Sequence, residues 1–239
     1  LLKRARLAAQ APDGGVLEDF SLTQDALVAS VRQGTNIVLR RFGAGDTLGQ
    51  DLAMPGKGAA RVAHDAAHAH TDVLYTFSGW MRMPLVYRWD GKASTDTGLR
   101  TNPPLANVPE VEILDVEVPS HDGVKVPMTL IYKKGLQLDG SNPTLLNAYG
   151  AYGFSETASF LGGRLVWIKQ DGVMALANVR GSGVRGHDWY LAGKKATKSN
   201  TWKDGVACAQ CLIAQGYASA KTLGIMGTSA GGIFVGRSV

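Results

Sequence analysis

In this 239-residue chain, Gly227-Thr228-Ser229-Ala230-Gly231 follows the apolar run Thr222-Leu223-Gly224-Ile225-Met226. Glycine two residues before and two after a serine, directly after a buried-strand pattern, defines a sharp strand-to-helix turn with the hydroxyl at its apex. The two flanking positions must be small because strand and helix nearly touch there, and Gly232 adds room. Ile233-Phe234-Val235 supplies the apolar start of the helix that has to follow. A chain built around such a turn needs a sheet beneath it. The competing reading, a glycine-rich turn that happens to hold a serine, leaves the strand before and the helix after unexplained.

The segments upstream supply that sheet. Val111-Glu112-Ile113-Leu114-Asp115-Val116-Glu117-Val118 alternates, His121-Asp122-Gly123 turns, and residues 124–133 alternate back. Thr144-Leu145-Leu146 and Val173-Met174-Ala175-Leu176-Ala177 are short continuous apolar runs, as in strands covered on both faces. A helix is expected from about Trp202 to Gly216, opened by a capping box at Thr201-x-x-Asp204. Strand, helix, strand in this order argues for an α/β sheet. Residues 1 to about 100 read differently, as short β-strands: a hairpin over 26–42 turning at Gly34-Thr35, and another over 73–89. Such strands suit a sandwich or about one and a half blades of a propeller. Thr101-Asn102-Pro103-Pro104, with Pro109 after it, is the expected linker, since tandem prolines remove donors and force an extended path.

A serine hydroxyl is a weak nucleophile until a base takes its proton. The five histidines, His64, His68, His70, His121 and His187, all precede Ser229. In α/β-hydrolases, whose elbow has this pattern, the acid and then the histidine follow the serine in chain order. None of the five is therefore assigned as the base.

From about Val111 onward the chain resembles the serine peptidases of the prolyl oligopeptidase family, which includes oligopeptidase B. The blocks that carry the resemblance are Pro143-Thr144-Leu145-Leu146-Asn147-Ala148-Tyr149-Gly150-Ala151-Tyr152-Gly153, Ala177-Asn178-Val179-Arg180-Gly181-Ser182-Gly183, residues 200–217, and Ser229-Ala230-Gly231-Gly232. The first and last of these lean toward oligopeptidase B. The resemblance implies an α/β-hydrolase fold at 105–239, the N-terminal part of the catalytic domain, truncated after the nucleophile elbow. Before it, 1–104 would be the last strands of a β-propeller. It implies Ser229 as nucleophile, with an oxyanion hole made by the Tyr149 hydroxyl and the Ala230 backbone N–H. Gly227 and Gly231 would shape the elbow. Tyr152 is a candidate for the substrate pocket, with core packing the equal alternative. The triad Asp and His are expected outside this chain, which alone is then expected to be inactive. The whole enzyme would cleave short peptides through a seryl acyl-enzyme. A carboxylesterase and a non-catalytic binding module are the alternatives.

Other motifs carry less. Gly181-Ser182-Gly183-Val184-Arg185-Gly186 matches a dinucleotide fingerprint, but the helix and acidic residue that it needs are not expected in place, and Asp204 is assigned to capping. His64-Asp65-Ala66-Ala67-His68 copies a zinc spacing in a stretch too short for a rigid helix. Cys208-x-x-Cys211 falls inside the expected helix rather than at its start, so both thiols read as small buried residues. No metal and no cofactor are expected. The net charge of +5 comes from scattered pairs such as Arg40-Arg41 and Lys194-Lys195, which argues against a nucleic-acid partner. No apolar run approaches the roughly 18 residues that span a bilayer. Leu1-Leu2-Lys3-Arg4-Ala5-Arg6 shows no initiator Met and no signal-peptide pattern, so the chain reads as cut at both ends, with compartment and oligomeric state unassigned.

Overall fold

β-Branched and aromatic residues bounded by tight turns make the first hundred residues a sheet. The computed structural model describes residues 6–64, 70–100 and 107–239. Its first unit comprises Leu1–Leu105 with Thr157–Phe160, and its second Ala106–Glu156 with Leu161–Val239. The linker expected at Thr101-Asn102-Pro103-Pro104 lies outside the described residues.

In the first unit, β1 (Gly15–Leu22), β2 (Ala26–Gln33), β3 (Asn36–Gly43), β4 (Gln50–Asp51), β5 (Ala59–Val62), β6 (Val73–Gly79), β7 (Arg82–Trp89) and β8 (Ser94–Asp96) form one eight-stranded sheet. Neighbouring strands are antiparallel except β3 and β5, which run parallel and are registered only through Ile37 and Ala59. The register pair of Gln33 with Asn36 closes the two-residue turn between β2 and β3. Val28, Leu39, Tyr75 and Phe77 are buried on one face, and Ala29, Val31 and Phe42 on the other. Tyr75 stacks on Tyr87 with ring centroids 5.6 Å apart.

The second unit is a five-stranded mixed sheet in the order β13-β11-β12-β10-β9. β9 (Val111–Pro119) and β10 (Lys125–Lys133) form a hairpin, and β12 (Val173–Ala177) runs antiparallel to β10. β11 (Thr144–Ala148) lies between β12 and β13 (Leu223–Met226), parallel to both. Every residue of β12 is buried, as its continuous apolar run requires. On one face, Leu146, Ala148, Ala175 and Ala177 pack with Cys208, Leu212 and Phe234, which come from α3 (Ser199–Ala214) and α4 (Gly232–Ser238). The alternate residues Leu145, Met174 and Leu176 face α1 (Gly162–Lys169). Between β12 and α3 runs the one-turn helix α2 (His187–Leu191).

Two sequence expectations change here. α3 begins at Ser199 after Lys198, so Thr201 and Asp204 are inside its first turns and make no capping box. Both side chains instead bind the loop after β12: Thr201 Oγ1 donates to Arg180 O at 2.8 Å, and Asp204 accepts from Arg180. A helix does open directly after Gly186, but α2 is only five residues long. Gly181, the first glycine of that fingerprint, is packed so tightly that a Cβ there would lie 2.0 Å from Gly150 O. Gly216 closes α3 as expected, with φ +75° just past the C-cap Gln215.

Candidate active site

Parallel register brings the site together. Asn147 is level with Met226 across β11 and β13, and Ala148 with Ala177 across β11 and β12. The loops that leave these three strands therefore share one rim, at the carboxyl ends where open α/β sheets place their ligands.

At the end of β13 the backbone turns through Thr228 (φ −91°, ψ 147°) into Ser229, which holds φ +52°. A left-handed conformation in a non-glycine residue costs on the order of 1–3 kcal/mol, and persists only where surrounding structure enforces it. The enforcement is visible. Gly231 N donates to Thr228 O at 2.8 Å. A Cβ on Gly227 would stand 2.3 Å from Gly231 O, and one on Gly231 would stand 2.9 Å from Ala148 O. Only glycine fits at either position. Ser229 is exposed at the apex, and among the described residues its hydroxyl makes no hydrogen bond. Ala230 is the second residue of the short 3-10 turn that follows, where N–H groups have no intrahelical acceptor.

Tyr149 leaves β11 half-buried beside this turn, with its ring edge close enough to meet a Cβ on Gly231 at 3.4 Å. Phe154 packs edge-on against Tyr149 with ring centroids 5.4 Å apart. Tyr149 and Ser229 both line a cavity of about 690 Å³, with Leu145, Trp167, Met174 and Met226 among its apolar walls. Tyr152 (φ +54°) is 79% exposed, with its ring 6.4 Å from that of Tyr149, so it is not a core residue. The aromatic residue of this loop that lines the cavity is Phe154.

Asn147, Glu156 and Arg164 also line the cavity, and sequence reasoning did not single them out. Asn147 Nδ2 donates to Glu156 Oε1 at 2.8 Å. Burial raises the Glu156 pKa, while Arg164 and the Asn147 hydrogen bond pull it down. Burial lowers the Arg164 pKa, and the charge of Glu156 opposes that shift. The one available signal was an arginine inside the otherwise apolar run 164–168.

Beneath the rim lies a buried ion network. Asp204, fully buried, accepts from Ser120 Oγ at 2.6 Å, Arg180 N at 2.9 Å, Arg180 Nε at 2.9 Å and Arg180 Nη2 at 2.6 Å. Arg180 Nη1 also donates to Asp122 Oδ2 at 2.5 Å. Burial alone would lower the Arg180 pKa, but its bonds to Asp204 and Asp122 outweigh that and raise it. The same bond from Arg180 holds Asp122 down at about 2.

The remaining candidates fall elsewhere. His121 Nδ1 is 3.1 Å from Ser120 Oγ, and His187 sits against Tyr190 with ring centroids 5.8 Å apart. His64 is exposed and lies 3.3 Å from Asp19; Asp65 and His68, the rest of that zinc-like spacing, lie outside the described residues. Cys208 is buried, and desolvation raises its pKa strongly, as it raises that of Cys211. A redox pair needs the opposite shift. Among the described residues no helix is long and apolar enough to cross a membrane.

A family model described as prolyl oligopeptidase family, Peptidase_S9, matches residues 158–239. The chain is 30% identical over 202 residues to a prolyl endopeptidase of Elizabethkingia meningoseptica, a match covering 84% of this chain and 28% of that protein. A solved structure from a study of two prolyl endopeptidases superposes with a TM-score of 0.87 at 28% identity, over 97% of this chain and 34% of that one. A post-proline cleaving enzyme from Rickettsia typhi gives a TM-score of 0.82 at 27% identity, over 94% and 33%. The chain thus spans about a third or less of the length of these relatives. The rim, its strained serine and these matches lead to one assignment: the chain carries a domain of the prolyl oligopeptidase family, Peptidase S9.

Proposed function

We propose that Ser229 is the nucleophile of a serine-type oligopeptidase. Its Oγ attacks a peptide carbonyl, and negative charge builds on the carbonyl oxygen of the tetrahedral intermediate. The Tyr149 hydroxyl and the Ala230 N–H are the donors that stabilise that charge, each worth on the order of 3 kcal/mol in such a role. The base that takes the Ser229 hydroxyl proton delivers it to the departing nitrogen as the C–N bond breaks, so the amine leaves and an acyl-Ser229 remains; water then hydrolyses that ester to a carboxylic acid and restores the Ser229 hydroxyl. The observation that carries this reading is an exposed serine held at φ +52° between two glycines that tolerate no side chain, on the same cavity wall as Tyr149.

In the same reading, the second unit is the part of an α/β-hydrolase domain that runs through its nucleophile elbow, and the first unit is the C-terminal part of a β-propeller. The substrates are short peptides, in keeping with the prolyl endopeptidase relatives. Among the described residues no histidine lines the cavity that holds Ser229. In α/β-hydrolases the base follows the serine in chain order, whereas all five histidines here precede Ser229, so the reading takes none of them as the base and residues 1–239 expressed by themselves should turn over peptide esters negligibly.

The test is fluorophosphonate labelling of the protein in cells that express it, mapped by peptide mass spectrometry. An adduct on Ser229 that disappears in Ser229→Ala supports the assignment. A protein that resists labelling while related hydrolases in the same extract react overturns it. Ser229-dependent ester turnover by residues 1–239 alone would refute the need for an outside base.

A further inference from the structure

Gly150 directly follows Tyr149, and its backbone (φ +65°) is wedged among neighbours from two other segments. A Cβ on Gly150 would stand 2.3 Å from Thr201 Cγ2 and 2.8 Å from Val179 Cγ2. Its carbonyl oxygen accepts a hydrogen bond from Lys198 Nζ at 2.5 Å. Lys198 lies in the turn before α3 and is half-buried, and among the described residues no carboxylate comes within ion-pair distance of it. Its amine is thus withdrawn from water and directed at a neutral carbonyl, and desolvation lowers its pKa. A lysine with only a surface role would keep its charged head in solvent.

From this contact we infer that Lys198 is a positioning residue for the oxyanion loop: its charge-assisted hydrogen bond to Gly150 fixes the direction in which the chain leaves Tyr149. The inference rests on the proposed roles of Ser229 and Tyr149. The other hydrogen bonds of the loop that follows Gly150 run to one side. Gly153 N donates to Gly181 O at 3.1 Å, and Glu156 N donates to Asn178 Oδ1 at 2.8 Å, both ties to the loop after β12. Lys198 is the tie to the α3 side. Without it, the Gly150 carbonyl has no hydrogen-bond donor among the described residues, packing alone holds the 149–150 backbone, and the phenol is less well preorganised beside the serine. Preorganisation is what gives an oxyanion donor its effect, and a shift of about 1 Å can cost about a hundredfold in rate.

The experiment compares Lys198→Met, Lys198→Arg and the unsubstituted protein at full length. Three readouts are taken: hydrogen–deuterium exchange of the peptide covering 149–154, the urea midpoint, and fluorophosphonate labelling resolved into maximal rate and half-saturating concentration. Loss of one charge-assisted hydrogen bond should speed exchange of 149–154 by about tenfold or more in Lys198→Met. Its maximal labelling rate should fall by about tenfold or more, with half-saturation changed less than about twofold. Lys198→Arg should recover most of both, since it restores a cationic donor. Unchanged exchange at 149–154 in Lys198→Met overturns the proposal. So does a labelling loss that merely follows a lowered urea midpoint and is not rescued by Arg. If the unsubstituted protein does not label at all while Lys198→Met still frees the loop, the anchor stands and the nucleophile assignment falls.

Discussion

Asp204→Ala removes the acceptor at the centre of the buried network. Four donors lose their acceptor: Ser120 Oγ, Arg180 N, Arg180 Nε and Arg180 Nη2. The guanidinium stays behind with its side chain 5% exposed. Breaking a buried pair by deleting one partner leaves an uncompensated charge and costs about 3–5 kcal/mol. Asp122 still accepts from Arg180, but its own side chain is 36% exposed and solvent weakens that pair, so it offsets only part of the loss. The expected destabilisation is about 4 kcal/mol, a large share of the roughly 5–15 kcal/mol that holds a domain together. With a urea m-value of about 2 kcal/mol per molar, the midpoint should fall by about 2 M. Two units need not unfold together, so the midpoint is best read from the urea dependence of hydrogen exchange in β12, inside the second unit. Asp204→Asn, which keeps the shape and loses the charge, should cost about half as much. A double-mutant cycle with Arg180→Met isolates the pairwise contribution, expected at about 2 kcal/mol or more. A loss below about 1 kcal/mol in Asp204→Ala, or a coupling near zero, would refute the idea that this carboxylate anchors the loop after β12.

Other expectations concern the elbow, acid stability and thiol chemistry. Gly231→Ala places a methyl 2.9 Å from Ala148 O, so it should lower the urea midpoint of the second unit and abolish fluorophosphonate adducts at Ser229, whereas Gly232→Ala, open on all sides, should do neither. Asp122 is held at about 2, below the ordinary aspartate value of 3.8, so the stability it contributes is complete above about pH 4 and is lost as pH falls toward 2. After discounting for a side chain that is 36% exposed, this amounts to about 1 kcal/mol, and Asp122→Asn should flatten that limb of an acid-unfolding curve. Cys208, buried and with its thiol pKa raised, should resist iodoacetamide in the folded protein, and should react fully once urea exposes it.

The elements that could be read from sequence are those whose signal is local. The elbow depends on glycines at fixed offsets from Ser229, and the covered strands on unbroken apolar runs; both are properties of a few adjacent residues. α1 escaped notice because it opens on Gly162-Gly163, poor helix formers, and is held in place by Leu165 and Ile168 packing against the sheet. The start of α3 was misread because Thr201 and Asp204 mimic a cap while serving partners far away in sequence. Asp204 meets Arg180 across 24 positions and Ser120 across 84, and Arg180 meets Asp122 across 58. No periodicity encodes such pairings. Lys198 in Lys194-Lys195-Ala196-Thr197-Lys198 looks like one more surface charge until the fold presents the Gly150 carbonyl to it.

At position 229 the φ of +52° has a consequence for anyone seeking sturdier variants. Glycine would occupy that conformation without steric penalty, so the domain as a folded object would be steadier by about 1 kcal/mol if it gave up its alcohol. An optimiser scoring free energy alone would make that exchange early and deliver a robust, inert protein. Thermal resilience and chemical competence pull in opposite directions at this single backbone torsion.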